Sequence, residues 1–329
     1  MRKYMTGAAL LLLLICCSCG ANNKKNQTEN QQTERIKAPD FNADSAYQYV
    51  KAQVDFGPRV PNTKEHVACG DYLAGKLSAF GAQVTSQRAD LRAFDGTVLK
   101  ARNIIGSYKP ESKKRVALFA HWDTRPWADN DENEANYHTP ILGANDGASG
   151  VGVLLEIARQ IQLKQPELGI DIIFFDAEDY GTPKFHDGPS DEDSWCLGSQ
   201  YWAQNMHEEG YNARFGILLD MVGGKGATFL KERYSNEYAP SIVKKVWDAA
   251  SQAGYANYFI DQNGGYVTDD HLPVNRLAKI PAIDIVPYDL GSGGFNPTWH
   301  TVNDNMNAID PATLKAVGQT VMEVIYNEK

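Results

Sequence analysis

The sequence has few cysteines, and their positions limit the roles they can play. Of the five cysteines, only Cys69 and Cys196 follow residue 19, and no Cys-x-x-Cys pair occurs beyond that point. A zinc site built from thiolates is therefore not expected in the main part of the chain. Cys69 and Cys196 are able to pair in an oxidising compartment, but two cysteines so far apart in sequence do not establish a disulfide.

An excess of positive charge is also missing. Lys and Arg number 32 against 41 Asp and Glu, which gives a formal net charge of −9 over 329 residues. The chain has no basic cluster, so nucleic acid and an anionic membrane surface are excluded as partners. The 43% hydrophobic and 22% charged composition is that of an ordinary globular protein.

The chain lacks a hydrophobic run long enough to span a bilayer near its N-terminus. The apolar stretch 8–15 is too short for a membrane span. It follows Arg2 and Lys3 and runs into Cys-Cys-Ser-Cys at 16–19, which resembles a bacterial lipoprotein signal. We therefore expect a signal peptide over 1–18 and lipidation of Cys19. The alternative is an ordinary cleaved secretory peptide.

Both alternatives place the protein outside the cytoplasm. With a lipidated cysteine, we expect it in the periplasm or at the cell surface, held on the bacterial outer membrane through the lipid alone. Residues 19–38, rich in Asn, Gln, Lys and Thr, predict a disordered tether. No linker-like stretch follows, so we predict one domain over 39–329.

Apolar strand-like runs alternate with helix-like patterns through this domain. Four continuous runs are typical of strands buried on both faces of a parallel sheet: 116–120, 170–175, 215–219 and 282–286. Alternation over 83–91 and 98–107 predicts a hairpin. Helical spacing covers 45–54, 65–80, 147–162, 198–207, 241–253 and 312–326. The fold class is therefore α/β, with a mostly parallel mixed central sheet and helices on both faces.

Polar side chains follow three of the predicted strands directly. They are His121 and Asp123 after 116–120, Glu178 and Asp179 after 170–175, and Asp220 after 215–219. Open α/β sheets bind their ligands beyond the carboxyl ends of the strands. Carboxylates and imidazoles from separate strands are therefore expected to meet at one edge of the sheet.

The adjacent pair Glu178 and Asp179 favours a metal site. Two neighbouring carboxylates near the interior repel each other and lose hydration, and a divalent cation compensates for both effects. One carboxylate then binds the metal while the other stays free as a base. The alternative is a solvated acidic turn.

Asp146 and His300 are further candidate ligands. Asp146 lies in a run of small residues over 143–152, which allows the backbone to approach a bound group closely. Asp146 is also compatible with a plain helix N-cap, and a loop histidine such as His300 is also compatible with a purely structural role.

Five ordered motifs resemble the metal-site series of the zinc aminopeptidase superfamily. They are His121-x-Asp123, Asn145-Asp146-Gly147, Ala177-Glu178-Asp179, Leu219-Asp220 and Trp299-His300-Thr301. The resemblance extends from residue 56 to residue 304 and implies an aminopeptidase-like fold. Within that superfamily the chain resembles the animal-type zinc glutaminyl cyclases. Three features carry this resemblance: Asp-Asp-His-Leu-Pro at 269–273, Trp299, and Leu-Gly-Ser at 197–199, which follows Trp195.

This resemblance implies a glutaminyl-peptide cyclotransferase, which closes the N-terminal glutamine of a peptide or protein into pyroglutamate and releases ammonia. It implies one Zn²⁺ per chain, a single catalytic domain and the following roles. Asp146, Asp179 and His300 hold the zinc, Glu178 is general base and acid, Asp220 and Asp269 form a hydrogen-bonded relay with it, and Trp195, Trp299, Trp127 and His271 line the substrate pocket.

Two residues depart from the animal pattern. Asp179 stands where the animal enzymes have glutamate, so its shorter side chain must approach the metal more closely. Asp284 stands where they have histidine. An aspartate inside a buried strand needs a hydrogen-bond partner, which we expect near the site.

Two other functions remain open at this point. In a two-zinc aminopeptidase, His121 and Asp220 would hold a second zinc, with Asp146 bridging the two ions. A non-catalytic lipoprotein that binds peptides or glycans would explain the anchor but not a free Glu178.

The acidic loops 129–134 and 187–193 are expected to be solvated faces that frame the site. The remaining histidines, His66, His138, His186 and His207, are expected to be superficial or structural.

Overall fold

The computed structural model describes residues 36–189 and 191–329 of the chain. Eight strands occur in these residues, six of them in the main sheet and two in a small separate sheet. They are β1 (Gln83–Arg92), β2 (Val98–Tyr108), β3 (Arg115–His121), β4 (Gly169–Phe175), β5 (Gly216–Leu219), β6 (Phe229–Lys231), β7 (Phe259–Asn263) and β8 (Ala282–Ile285).

The main sheet has the order β1-β2-β4-β3-β5-β8. Four of its strands, β4, β3, β5 and β8, run parallel to one another. Leu118 of β3 lies opposite Ile172 of β4 on one side and opposite Ile217 of β5 on the other. The hairpin of β1 and β2 joins antiparallel at the edge of β4. The predicted fold class, a mostly parallel mixed sheet, is confirmed.

Eight α-helices surround the sheet within the described residues. They are α1 (Ala43–Val54), α2 (Lys64–Ala79), α3 (Ala148–Leu163), α4 (Leu197–Gln204), α5 (Arg233–Tyr238), α6 (Pro240–Gln252), α7 (His271–Arg276) and α8 (Pro311–Asn327). Side chains cap some of them: Thr63 accepts a hydrogen bond from the His66 N–H at the start of α2, and Asp310 caps α8.

Alternate residues of the strands pack into two separate cores, one on each face of the sheet. Leu118 and Ile172 lie in the larger core with α1, α2, α3, α6 and α8. Phe119 and Ile173 lie in the smaller core, where Trp202 of α4 packs against them. Both faces are therefore covered by helices, which is why the central strands read as continuous apolar runs.

Several elements differ from the sequence prediction. The short elements α5, α7, β6 and β7 were outside the predicted set, because three to six residues show too little periodicity to be distinguished from loops. The predicted tether runs to residue 38, whereas Ile36 exchanges hydrogen bonds with Asn327 of α8 and Ala38 is buried. Contacts with the domain therefore begin before residue 39.

The predicted signal peptide, the lipidated Cys19 and most of the tether lie outside the described residues. Within 36–189 and 191–329, no helix has the length and apolarity needed to cross a membrane. Cys69 and Cys196 are both buried and unpaired, so the disulfide that the sequence left open is absent.

Candidate metal centre and active site

Three distant segments of the chain bring Asp146, Asp179 and His300 together at the carboxyl edge of the sheet. Asp179 follows β4, Asp146 lies just before α3, and His300 lies in the loop between β8 and α8. His300 Nε2 is 3.1 Å from Asp179 Oδ1 and 3.5 Å from Asp146 Oδ2. All three side chains are buried, and their ligand atoms lie close enough together to hold a metal ion.

The donor atoms of this group fit a zinc ion. Asp146 Oδ2 and both carboxylate oxygens of Asp179 receive no hydrogen bond from any described residue, although they are buried. Leaving carboxylate oxygens buried without a partner is costly, and a divalent cation removes that cost. Two carboxylates and one imidazole are donors that zinc accepts, with room for a further ligand in a catalytic site.

A second layer of residues orients the imidazole of His300. Asp129 Oδ1 lies 3.5 Å from His300 Nδ1, and its carboxylate accepts two hydrogen bonds of 2.7 Å from Arg125. Arg125 also donates to the backbone carbonyl of Asp179. A carboxylate behind a ligating histidine fixes its ring and tautomer. Burial works against ionisation of Asp129, but Arg125 holds its pKa well below the usual range.

This placement corrects one prediction. The loop 129–134 was expected to be solvated, yet Asp129 is 3% exposed and Asp131 is 7% exposed. Asp131 accepts a hydrogen bond from the Val302 N–H and so holds the loop that carries His300. The other acidic loop agrees with the expectation, since Asp187 and Asp191 are exposed.

Two further aspartates hold the backbone of the ligand segments. Asp123 accepts hydrogen bonds from the N–H groups of Glu178 at 3.1 Å and Asp179 at 3.2 Å. Asp304 accepts from the N–H groups of Asn145 at 2.8 Å and Asp146 at 3.0 Å. Each carboxylate therefore fixes the backbone from which a metal-binding side chain projects.

The backbone is strained at several positions around the site. Ala177, Met221 and His300 have φ values of 54°, 50° and 54°, in the left-handed region that non-glycine residues rarely adopt. Ala177 precedes Glu178, and Met221 follows Asp220. Strained residues of this kind persist where the surrounding structure imposes them, and they cluster at functional sites.

Glu178 lies beside the metal-binding group without belonging to it. Glu178 is 8% exposed, and its Oε1 accepts a hydrogen bond of 3.3 Å from the Cys196 thiol. Burial raises the pKa of Glu178 well above its usual range, and the charges of Asp179, Asp269 and Asp270 raise it further, against the opposing effect of His121. This is the environment of a general base that also returns its proton.

The structure brings the predicted relay residues close but does not bond them. Glu178 and Asp269 offer oxygens within 4.8 Å of each other. Among the described residues, no hydrogen bond joins Glu178, Asp220 and Asp269; Asp220 instead lies 3.3 Å from His121 Nε2. Burial, and then the charge of Asp220, raise the pKa of Asp269 to about 7. The relay remains a prediction.

His121 occupies the place where the aminopeptidase hypothesis requires a second zinc ligand. Its Nε2 atom is 3.0 Å from Asp146 Oδ1 and 3.3 Å from Asp220 Oδ1. Asp146 thus offers one oxygen to each group, as a bridging ligand does. Burial opposes protonation of His121, but the nearby carboxylates of Asp123, Asp146 and Asp220 raise its pKa well above the usual range. The three carboxylates therefore favour the protonated form of His121.

Asp284 and His271 lie beneath the site, out of reach of solvent. Both are 0% exposed, so His271 does not line an open pocket, contrary to the prediction. His271 Nε2 is 3.2 Å from Glu232 Oε2, and its Nδ1 is 4.0 Å from Asp284 Oδ2. Burial raises the pKa of Asp284 well above the usual range, and the charge of Asp269 raises it further. Burial thus favours the protonated, neutral form of Asp284.

The predicted tryptophans are half-buried around His300. The Trp299 ring stacks on the imidazole with centroids 3.9 Å apart, and the Trp195 ring lies parallel to it at 6.0 Å. Trp127 is further out, packed edge-on against Tyr180 at 5.1 Å. Trp195 and Trp299 are thus placed to wall the site, whereas Trp127 belongs to an adjoining aromatic cluster.

Fold and site together define an α/β protein with a carboxylate and imidazole metal centre at the carboxyl edge of a mixed sheet. Residues 103–325 match the model of Peptidase family M28, and the chain belongs to that family.

The chain is similar to two solved structures along nearly all of its described length. The glutaminyl cyclase of Bacteroides thetaiotaomicron, bound to N-acetylhistamine, has 74% identity and a TM-score of 0.88 over 89% of this chain and 100% of that chain. A leucine aminopeptidase precursor from Bacteroides thetaiotaomicron VPI-5482 has 73% identity and a TM-score of 0.87 over the same shares.

An animal relative is more distant. The glutaminyl-peptide cyclotransferase of Drosophila melanogaster is 25% identical over 280 residues, which cover 78% of this chain and 73% of that protein. The resemblance to glutaminyl cyclases of the zinc aminopeptidase superfamily, inferred from ordered motifs, is confirmed by these matches.

Proposed function

We propose that the protein is a zinc-dependent glutaminyl-peptide cyclotransferase that converts N-terminal glutamine of peptides and proteins into pyroglutamate and releases ammonia. The observation that carries this proposal is the similarity to a glutaminyl cyclase at 74% identity over 100% of that chain. The site supports it, because an uncoordinated Glu178 lies beside a zinc-type ligand group and two tryptophans stack around His300.

Asp146, Asp179 and His300 would hold one Zn²⁺ per chain. When bound, the ion polarises the γ-carbonyl of the substrate glutamine and makes its carbon electrophilic. Asp129 keeps the His300 ring in the orientation in which Nε2 faces the two carboxylates.

Glu178 moves the proton. Its Oε atoms take a proton from the α-ammonium of the substrate, which frees the nitrogen to attack the γ-carbon. Glu178 returns this proton to the amide nitrogen, whose bond to the γ-carbon then breaks to release ammonia. The ring nitrogen gives up its second proton to the emptied carboxylate of Glu178, which passes it to the solvent. The raised pKa of Glu178 suits these transfers, and Cys196 orients its carboxylate. Trp195 and Trp299 hold amine and carbonyl in one compact space, which supplies the orientation that ring closure needs.

The assay that tests this function follows ammonia release from a peptide with N-terminal glutamine. We expect release by the zinc-loaded protein, loss of release with a chelator and recovery when zinc is added back. The Glu178→Gln variant should be inactive while it still binds zinc, because the amide cannot take a proton. Full activity of that variant would remove Glu178 from its role.

The second candidate is a two-zinc aminopeptidase, favoured by the bridging geometry of Asp146 between His121 and His300. It predicts two zinc ions per chain and a free amino acid released from peptides without N-terminal glutamine. Metal analysis and amino-acid analysis of the same preparation separate the two functions.

The location of the protein is a further part of the proposal. The apolar run 8–15 and the cysteines that follow it support lipidation of Cys19 and attachment outside the cytoplasm through the lipid alone. A Cys19→Ala variant should then leave the membrane fraction. If it stays there, another anchor is present.

A further inference from the structure

A cleft opens beside the candidate active site, between α4 and α7. Its volume is about 280 Å³, close to the lower end of the range of roughly 300–1,000 Å³ for ligand sites. Its inner end is formed by Trp195, Cys196 and Thr268. Further out, the walls include Gln204 from α4 and Leu277 from the end of α7.

The inner end of the cleft adjoins the reacting groups. The Cys196 thiol is 3.3 Å from Glu178 Oε1, and the Trp195 ring is parallel to the His300 imidazole at 6.0 Å. Thr268, on the opposite wall, directly precedes Asp269. Trp195 is half-buried and borders both the site and the cleft, so a molecule that extends out of the active site past its ring reaches this cleft.

The wall on the α4 side is held in place before any ligand binds. The side-chain amide of Gln200 donates to the backbone carbonyls of Trp195 at 2.8 Å and Asp193 at 3.0 Å. The side-chain amide of Gln200 therefore donates to the protein's own backbone. Gln204, in contrast, is exposed and lines the cleft. A preformed wall lowers the entropy cost of ordering a bound peptide.

The opposite wall carries three apolar side chains besides Thr268 and Arg276. Leu272 and Pro273 are buried and form the floor, while Leu277 is 44% exposed at the rim. Arg276 is already engaged, because its Nε donates to the Tyr238 hydroxyl and its guanidinium lies 5.2 Å from the centre of the Tyr234 ring. The rim also carries Glu192 and Asp193, so its charges are of both signs and favour no single ionic ligand.

We propose that this cleft is the subsite for the residues that follow the N-terminal glutamine of the substrate, and that it favours apolar side chains there. The inference rests on the proposed function. It narrows the substrate class to peptides and proteins with apolar second or third residues, in contrast to free glutamine derivatives. The exposed amide of Gln204 is placed to bond the peptide backbone of such a segment.

The test compares three substrates on the zinc-loaded enzyme: glutaminamide, which ends at the first residue, and pentapeptide amides with Leu-Leu or Ser-Ser after the glutamine. We expect kcat/KM for the Leu-Leu peptide to exceed that for the Ser-Ser peptide by about tenfold, mainly through KM. In Leu277→Ser, the ratio of kcat/KM between the Leu-Leu peptide and glutaminamide should fall about fivefold.

Leu163→Ser is the matched control, since Leu163 is an exposed leucine at the end of α3 that does not line the cleft. It should leave the ratio at the wild-type value. The same ratio in Leu277→Ser and wild type would overturn the subsite. Absence of ammonia release from glutaminamide and both peptides by the wild-type enzyme would instead overturn the proposed function itself.

Discussion

Asp129 connects the metal-binding group to a buried cation. Its carboxylate lies between His300 Nδ1 and the guanidinium of Arg125, and it is 3% exposed. We expect Asp129→Asn to weaken zinc affinity by roughly 10- to 100-fold, because the ligating imidazole loses its charged partner. Competition between the protein and a zinc chelator of known affinity measures the change.

Asp187→Asn is the matched control for this substitution. Asp187 is an exposed aspartate of the second acidic loop, and it contacts none of the metal-binding residues. Zinc affinity should remain at the wild-type value in this variant. An Asp129→Asn protein that binds zinc as tightly as wild type would show that His300 needs no carboxylate behind it.

The sequence sufficed for the residues that directly follow buried strands. Glu178, Asp179 and Asp220 were identified because a continuous apolar run fixes where a strand ends. Asp129 and Cys196 were missed, since their roles depend on contacts with residues far along the chain. Local composition around Asp129 is that of a solvated loop, and only the spacing to Arg125 hints at the buried ion pair.

The packing of α3 on the sheet places two of the acidic residues. A Cβ atom added at Gly150 would lie 2.1 Å from the carbonyl oxygen of Leu219, the last residue of β5. Asp146 lies just before α3, and Asp220 follows β5. Close approach of helix and strand therefore depends on the absence of a side chain at Gly150.

We expect Gly150→Ala to lower the free energy of unfolding by about 1–3 kcal/mol or more, because backbone must shift to admit the methyl group. Zinc affinity should fall as well, since Asp146 moves with α3. Denaturant unfolding and zinc titration measure the two effects.

Gly75→Ala makes the same chemical change inside α2 with nothing within 4 Å of the added atom. It should raise stability by about 0.5–1 kcal/mol. Equal stability of the two variants would contradict this account of α3.

Long elements were predictable and short ones were not. The central strands and the helices α1, α2, α3, α6 and α8 follow from apolar periodicity, because each buries one face over several turns or a whole strand. The six-residue helices α5 and α7 and the small sheet of β6 and β7 carry no such signal. The two helices and β6 pack against β8, and such tertiary contacts leave no local pattern in the sequence.

At the scale of the whole molecule, acidic side chains are numerous both on the surface and in the buried interior. The chain carries a net charge of −9, and many carboxylates are buried at the carboxyl edge of the sheet. In the described part of the chain, the buried basic groups within 4 Å of these carboxylates are Arg125 and four histidines: His66, His121, His271 and His300. The remaining negative charge must be neutralised by metal or by protons.

Three of these acids, outside the metal-binding group, have raised pKa values in the folded state. Burial, followed by neighbouring carboxyl charges, raises the pKa of Asp269 to about 7 and those of Asp270 and Asp284 well above the usual range. The folded protein therefore binds more protons than the unfolded chain between about pH 4 and pH 7, so its free energy of unfolding falls as the pH rises. Asp129 and Glu232 have lowered pKa values and act in the opposite direction, but only below about pH 4.

We therefore expect the chelated protein to have a higher Tm at pH 5 than at pH 8. In Asp284→Asn the dependence should be shallower, because one of the proton-binding groups is replaced by an amide that does not titrate. Zinc binding should oppose the trend, since its ligands must be deprotonated and its affinity rises with pH. Thermal unfolding of both proteins with and without zinc tests all three points. A Tm of the chelated wild type that is constant or rises from pH 5 to pH 8 would mean that these carboxyls are ionised in the folded state.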